Sequence, residues 1–75
     1  MTPLQRHVLA RLLQGDRLIG HRKAGHVRAK YRWPDGSAVP LNVLSALRSR
    51  GEIADRAIDA GKVRVLVTEA GARSF

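Results

Sequence analysis

The residues best suited to chemistry lie between positions 41 and 50, where small polar and basic side chains recur at helical spacing. On a helix drawn through this stretch, Asn42, Ser45 and Ser49 share one side. Arg48 lies at the edge of that side. Asparagine can pair with adenine, and arginine with guanine, through two hydrogen bonds. This side of the helix therefore suits base recognition, and it equally suits the solvated side of an ordinary surface helix.

Basic side chains recur in two further segments at strand spacing. Residues 26–33 alternate between basic and apolar types, which predicts a strand with one open side, and residues 62–67 repeat the pattern. Open sides of this kind can contact the phosphates of a nucleic acid, although a solvated sheet face has the same pattern. The candidate contacts on these strands and on the turn before the first are Arg22, Lys23, Arg28, Lys30, Arg32, Lys62 and Arg64.

Histidines and acids are placed poorly for metal binding or catalysis. His21 and His26 flank a predicted turn, but no third ligand follows at a regular spacing. His7 and Asp16 have no nucleophile beside them on one element, and so short a chain offers little pocket. We therefore predict that the protein is not an enzyme and uses no metal or cofactor.

The two aromatic residues of the basic strand admit two interpretations. Tyr31 and Trp33 can stack on the bases of a single-stranded nucleic acid. However, they share a predicted side with Val27 and Ala29, which are apolar. We therefore expect both rings to lie in the core.

A capping signal and an apolar stripe predict the first helix. Thr2 is followed by Pro3, which suits the first helical position, and by Gln5, which can complete a capping box. An apolar stripe at helical spacing follows, and Gly15 marks the end. We therefore predict a scaffold helix over residues 3–14.

The next segment, residues 17–39, has the pattern of a small antiparallel meander. Residues 17–20 and 26–33 predict the first two strands. Pro34-Asp35-Gly36 is a turn signal, because proline fixes φ and glycine accepts positive φ. Residues 37–39 then return as a brief third strand.

The second half predicts a helix followed by a hairpin. Pro40 suits a helix start and Gly51 a left-handed stop, so we place the helix at residues 41–50. Residues 53–67 predict a hairpin that turns at 59–62, and Thr68 can cap a last helical turn. The apolar residues expected to face the core from these segments are Val43, Leu44, Leu47, Ile53, Val63, Val65 and Val67.

Composition limits the classes of protein to consider. Seventy-five residues predict one small domain over residues 1–75. Fourteen Lys and Arg against six Asp and Glu give a net charge of +8, which favours a polyanionic partner. There is no cysteine, which fits a reducing cytoplasm. With no pattern of a signal peptide or membrane span, we expect a cytoplasmic, nucleoid-associated protein and no membrane partner.

The order of these motifs resembles the winged helix-turn-helix of bacterial regulators. In that family the helix before the glycine carries an apolar pair, a basic residue, glycine and an aliphatic residue, and the wing ends in an aliphatic-Thr-x-x-Gly phrase. The matching positions here are Leu44, Leu47, Arg50, Gly51, Ile53 and residues 67–71. The resemblance implies an α+β fold: a compact winged-helix-like domain with an N-terminal helix, a recognition-type helix and a C-terminal β-hairpin wing.

Residues 17–39 depart from this family, which commonly places another helix there. In layout the chain is also similar to small stand-alone bacterial proteins of the YjhX type, a toxin family. The shared features are Gln5 and Gly15 in the first helix, a basic stretch at residues 19–23, and then strands, a helix and a hairpin. This second resemblance leaves open whether the role is regulation.

Two classes of function follow. The first is a bacterial or phage transcriptional regulator that binds double-stranded DNA, with helix 41–50 in the major groove and hairpin 53–67 as the wing. The second is an interaction protein of toxin, antitoxin or inhibitor type that binds an acidic protein. RNA is a further candidate partner, and we expect a monomer or homodimer. The first class assigns Asn42, Ser45, Arg48 and Ser49 to the DNA, together with the seven strand and turn cations.

Overall fold

A computed structural model describes residues 1–22 and 29–75. The predicted contributions of Lys23, His26, Val27 and Arg28 lie outside these residues. The described part is an α+β structure with three helices and a five-stranded antiparallel sheet. Its elements in chain order are α1 (Pro3–Leu13), β1 (Leu18–His21), β2 (Lys30–Arg32), β3 (Ala38–Val39), α2 (Leu41–Ser49), β4 (Ile53–Asp59), β5 (Lys62–Val67) and α3 (Glu69–Ser74).

Helix α1 begins at the capping box that the sequence predicts. The Gln5 N–H donates to the Thr2 hydroxyl at 3.2 Å, and the Thr2 N–H donates to the Gln5 side-chain oxygen at 3.4 Å. The helix ends at Leu13, one residue before the predicted end, because Gln14 serves as its C-cap. Gly15 follows with a φ of 97°, a conformation that favours glycine.

The strands form one sheet in the order β3-β2-β1-β5-β4. The predicted meander is confirmed as β1, β2 and β3, and the predicted hairpin as β4 and β5. Strand β1 joins the two parts by pairing with β2 on one side and with β5 on the other. The second strand spans only Lys30–Arg32, so Ala29 and Trp33 of the predicted strand 26–33 lie outside it. The Trp33 N–H instead bonds the Ser37 carbonyl across the following turn.

One face of the sheet carries the core. The paired residues Leu18 and Val65 are fully buried there, and Tyr31 and Val39 extend the same face across β2 and β3. Trp33 is also buried, so the expectation that both aromatic rings belong to the core is confirmed. Helices α1 and α2 pack on this face, since their buried residues join the same cluster; they are Val8, Leu9, Val43, Leu44 and Leu47.

Helix α2 spans Leu41–Ser49 and ends one residue before the predicted end, because Arg50 serves as its C-cap. Gly51 adopts a φ of 71° after the Arg50 cap, and Ile53 returns to the core with 3% exposure. Thr68 caps α3 by accepting the Gly71 N–H at 3.1 Å, so the predicted last turn is a six-residue helix.

Candidate nucleic-acid interface

The sheet face opposite the helices presents cations in cross-strand rows. Residues paired in register on neighbouring antiparallel strands point to the same side. Arg32 pairs with Ile19, Ile19 with Arg64, and Arg64 with Arg56. Neighbouring strands lie about 4.8 Å apart, so one line across four strands contains three arginines. A shorter second row joins Lys30 to His21 and His21 to Lys62.

The rows carry little compensating charge. Among the described residues, neither lysine and none of the three arginines lies within ion-pair distance of a carboxylate. All six Asp and Glu residues belong to the described part, and Asp59, paired in register with Lys62, is the one at the end of this face. The acids that form ion pairs are engaged by arginines elsewhere; they are Asp16, Asp35, Glu52, Asp55 and Glu69.

Three of the arginines on or beside this face differ in their surroundings. Arg32 donates to the Gly36 carbonyl at 2.9 Å, which holds its side chain over the turn after β2. The backbone N–H of Arg22 donates to the Gly61 carbonyl at 2.9 Å, which places this residue beside the hairpin turn. Arg64 is half-buried, and its Nε is fully buried with no hydrogen-bond partner in the described part of the chain.

The outer side of α2 is polar and close to neutral. Asn42, Ser45 and Ser49 are exposed, and the Ser49 hydroxyl donates to the Ser45 carbonyl at 2.8 Å. Arg48 donates to an Asp55 carboxylate oxygen at 3.1 Å, and its guanidinium lies 5.9 Å from the centre of the Tyr31 ring. A shallow groove of about 430 Å³ runs beside this helix and is lined by Ala29, Tyr31, Leu41, Asn42, Ser45 and Arg48.

Arg50, the other cation near the end of α2, also has acceptors within the protein. Its Nε donates to Glu52 at 2.7 Å and its NH2 group to the Gln5 side chain at 2.9 Å. Glu52 is buried, and the nearby Ser74 hydroxyl and the Arg50 guanidinium hold its pKa below the ordinary 4.5, against the opposing effect of burial. Arg50 therefore stabilises the junction of α1, α2 and α3.

The residues predicted for nucleic acid divide between two surfaces. Lys30, Arg32, Lys62 and Arg64 lie on the open side of the sheet, with Arg22 at its margin. The residues of α2 lie on the helical side, because α2 packs on the core face. Lys23 and Arg28 fall outside the described residues. The fold thus brings together the predicted strand cations and separates them from the polar side of α2.

Sequence reasoning missed two members of the cationic surface. Arg56 lies in β4 directly opposite Arg64, and His21 lies between Lys30 and Lys62. Strand alternation could have indicated Arg56. Ile53 is the buried residue of β4, so Ala54 and Arg56, at odd spacings from it, point to the opposite, open face. His21 becomes part of the face only through the pairing of β1 with two partners.

No helix among residues 1–22 and 29–75 has the length and apolar character needed to cross a membrane. Comparisons with protein-family models, curated proteins and solved structures found no match. Inference about function therefore depends on the geometry and charge of the two surfaces.

Proposed function

We propose that the protein binds duplex nucleic acid, with duplex DNA as its partner, through the open face of its sheet. The observation that supports this proposal is the pair of cross-strand rows with five Lys and Arg residues, none of them ion-paired to a described carboxylate. A polyanion releases its condensed counterions when such cations replace them, which favours association. Three of the five are arginines, whose planar forks match phosphate oxygens.

A duplex suits this face better than a single strand. Proteins that bind single strands without sequence preference stack bases on exposed aromatic rings. Tyr31 and Trp33 are 8% and 5% exposed and lie on the core side. The cationic rows therefore offer contacts to the backbone but no stacking surface among the described residues.

An acidic protein partner has less support from this surface. The cores of protein interfaces are depleted in lysine and rely on a few buried aromatic or arginine residues that fill pockets. The described open face instead spreads its charges along two lines, with Ile19 between two of the arginines. A regularly charged backbone fits such a face more closely than one protein epitope does.

We also propose a winged-helix-like arrangement as a second mode of DNA binding. In this mode α2 would enter the major groove with Asn42, Ser45 and Ser49, and hairpin β4-β5 would serve as the wing. The element order and the pairing of β1 with the hairpin support it, while β2 and β3 stand in the chain where this family commonly has another helix. The neutral outer side of α2 and its place opposite the cationic rows favour the sheet as the first contact.

Fluorescence anisotropy with mixed-sequence duplex DNA tests the proposal. We expect binding whose affinity falls steeply with salt, with a log-log slope of roughly −3.5 to −4.5 if about four or five phosphates are contacted. Arg64→Gln should weaken binding by about 1–2 kcal/mol and reduce the slope by about one. Arg73→Gln is the matched control, because Arg73 lies on α3 with an exposed side chain and pairs with Glu69.

Duplex RNA, single-stranded DNA and polyglutamate distinguish the partners. If the protein binds duplex RNA more tightly than duplex DNA, the partner is RNA, because the A-form backbone presents its phosphates differently. Salt-insensitive binding to all three nucleic acids, or equal losses for Arg64→Gln and Arg73→Gln, would overturn the proposal. Preferential binding to polyglutamate would favour the acidic protein partner.

A further inference from the structure

We propose that Arg56 and Arg64 form a two-arginine site that holds one phosphate group between them. In the bound complex this group is a phosphodiester of the nucleic-acid backbone, so the inference rests on the proposed function and specifies one contact within it. The chemistry shared with free inorganic phosphate is that of a phosphoryl oxyanion.

The register of the hairpin places the two arginines together. Arg56 on β4 and Arg64 on β5 are direct antiparallel partners, and both point to the open face. Direct partners have Cβ atoms about 4.5–5.5 Å apart, and like charges at this separation repel each other. The fold therefore keeps two positive groups adjacent at a position where an opposite charge would be expected.

No described carboxylate relieves this repulsion. Asp55 precedes Arg56 but lies on the other face, where it accepts a hydrogen bond from Arg48. Asp59 lies beyond a register shift in β4 and pairs in register with Lys62, not with Arg64. Within residues 1–22 and 29–75, the neighbourhood of the arginine pair thus lacks a charged acceptor.

Arg64 has a donor without an acceptor and a restrained side chain. Its Nε is buried and has no hydrogen-bond partner among the described residues. Arg64 is half-buried, and its neighbours on this face are Ile19 in the same row and Leu66 two residues along the same strand. A side chain that is already restrained loses less conformational freedom when it binds a ligand.

An oxyanion between the two guanidinium groups relieves the repulsion between them. Arginine forks donate paired hydrogen bonds to phosphate oxygens, and such charge-assisted bonds are stronger than neutral ones. One phosphate accepting from Arg56 and Arg64 replaces the repulsion between them with two attractions. Arg32 lies two strands from Arg64 with Ile19 between, so it would contact a different phosphate.

A double-mutant cycle in duplex DNA binding tests the shared phosphate. Each of Arg56→Gln and Arg64→Gln should weaken binding by about tenfold, and the double variant little more than either one, because both remove the same site. The matched cycle pairs Arg32→Gln with Arg64→Gln, and its two losses should multiply. Arg64→Lys should also weaken binding, because it keeps the charge but loses the fork. Thermal unfolding of each variant verifies that it is folded.

The possible outcomes separate this inference from the proposed function. If the affinity losses of Arg56→Gln and Arg64→Gln multiply while DNA binding is salt-dependent, the shared site is overturned and the proposed function stands. Absence of duplex binding by the wild-type protein would overturn both.

Inorganic phosphate, compared with chloride at equal ionic strength, tests the source of the oxyanion. A higher unfolding temperature in phosphate for the wild type but not for Arg56→Gln would support a site that takes the free ion as well. In the other outcome, the wild type unfolds at the same temperature in phosphate as in chloride while the affinity losses of Arg56→Gln and Arg64→Gln still do not multiply. That result would support a site for the polymer's phosphodiester alone.

Discussion

Gly20 on β1 lies directly beneath the ring of Tyr31, its cross-strand partner on β2. A Cβ atom at position 20 would come within 2.5 Å of the ring atom Cε2 and within 2.9 Å of Cζ. The absence of a side chain at Gly20 therefore lets a large aromatic ring lie flat on the centre of the sheet. This contact lies on the core face of the sheet, opposite the cationic rows.

We predict that Gly20→Ala destabilises the protein by about 1–3 kcal/mol, the usual cost of an overpacked core. Urea unfolding of the variant measures this cost. Tyr31→Val removes the obstructing ring, so the double variant should cost clearly less than the sum of the two single changes. Simple additivity would show that the ring does not limit position 20.

The buried carboxylate of Glu52 predicts a loss of stability in acid. Its pKa is lowered in the folded protein by the Ser74 and Arg50 contacts, so its contribution is fully present above the unfolded value of about 4.5. That contribution disappears as the pH falls through the lower, folded value. Glu52→Gln should lower stability at neutral pH and flatten the acid limb of a stability curve measured by urea unfolding. Glu69→Gln, at an exposed site, should leave that limb unchanged.

The pair formed by Arg48 and Asp55 provides a test of which surface meets DNA. Asp55→Asn frees the Arg48 guanidinium on α2, and Glu69→Gln removes the same charge from α3. Both pairs are exposed, so each substitution should change stability by less than about 1 kcal/mol. We predict equal, small gains in DNA affinity, because the sheet face is the first contact. A selective gain for Asp55→Asn would assign α2 to the DNA.

The cross-strand pair of Arg56 and Arg64 predicts that removing one arginine stabilises the protein when no nucleic acid is bound. Arg56→Gln should raise stability at low salt by about 0.2–1 kcal/mol, because it removes a like-charge cross-strand pair. The gain should fade as salt screens the repulsion. Thermal unfolding at two salt concentrations measures it, with Arg73→Gln as the control that lacks the gain. A loss of stability for Arg56→Gln at low salt would contradict the repulsion.

Local signals in the sequence predicted most of the elements. The capping box at Thr2, the turn at Pro34–Gly36 and the left-handed Gly51 each depend on a few adjacent residues, and each lies where it was expected. Strand alternation also predicted which side of β5 faces the core. These features required no knowledge of distant contacts.

The composition of the cationic surface could not be predicted in the same way. It depends on β1 pairing with both β2 and β5, which brings Arg32, Arg64 and Arg56 into one line. Pairing between distant strands is decided by the whole core and not by a local motif. For the same reason, the sequence did not show that Asp55 would neutralise Arg48 across a gap of seven residues.

The central position of β1 has a consequence for folding. This four-residue strand comes early in the chain, yet four of its seven register partners are supplied by β5, more than forty residues later. Closing so long a loop is slow compared with forming a local turn, so we expect the last step of folding to be the docking of the hairpin onto β1. The arginine line is completed in that same step. A chain that has not completed this docking step lacks both an intact sheet and the full set of contacts to a nucleic acid.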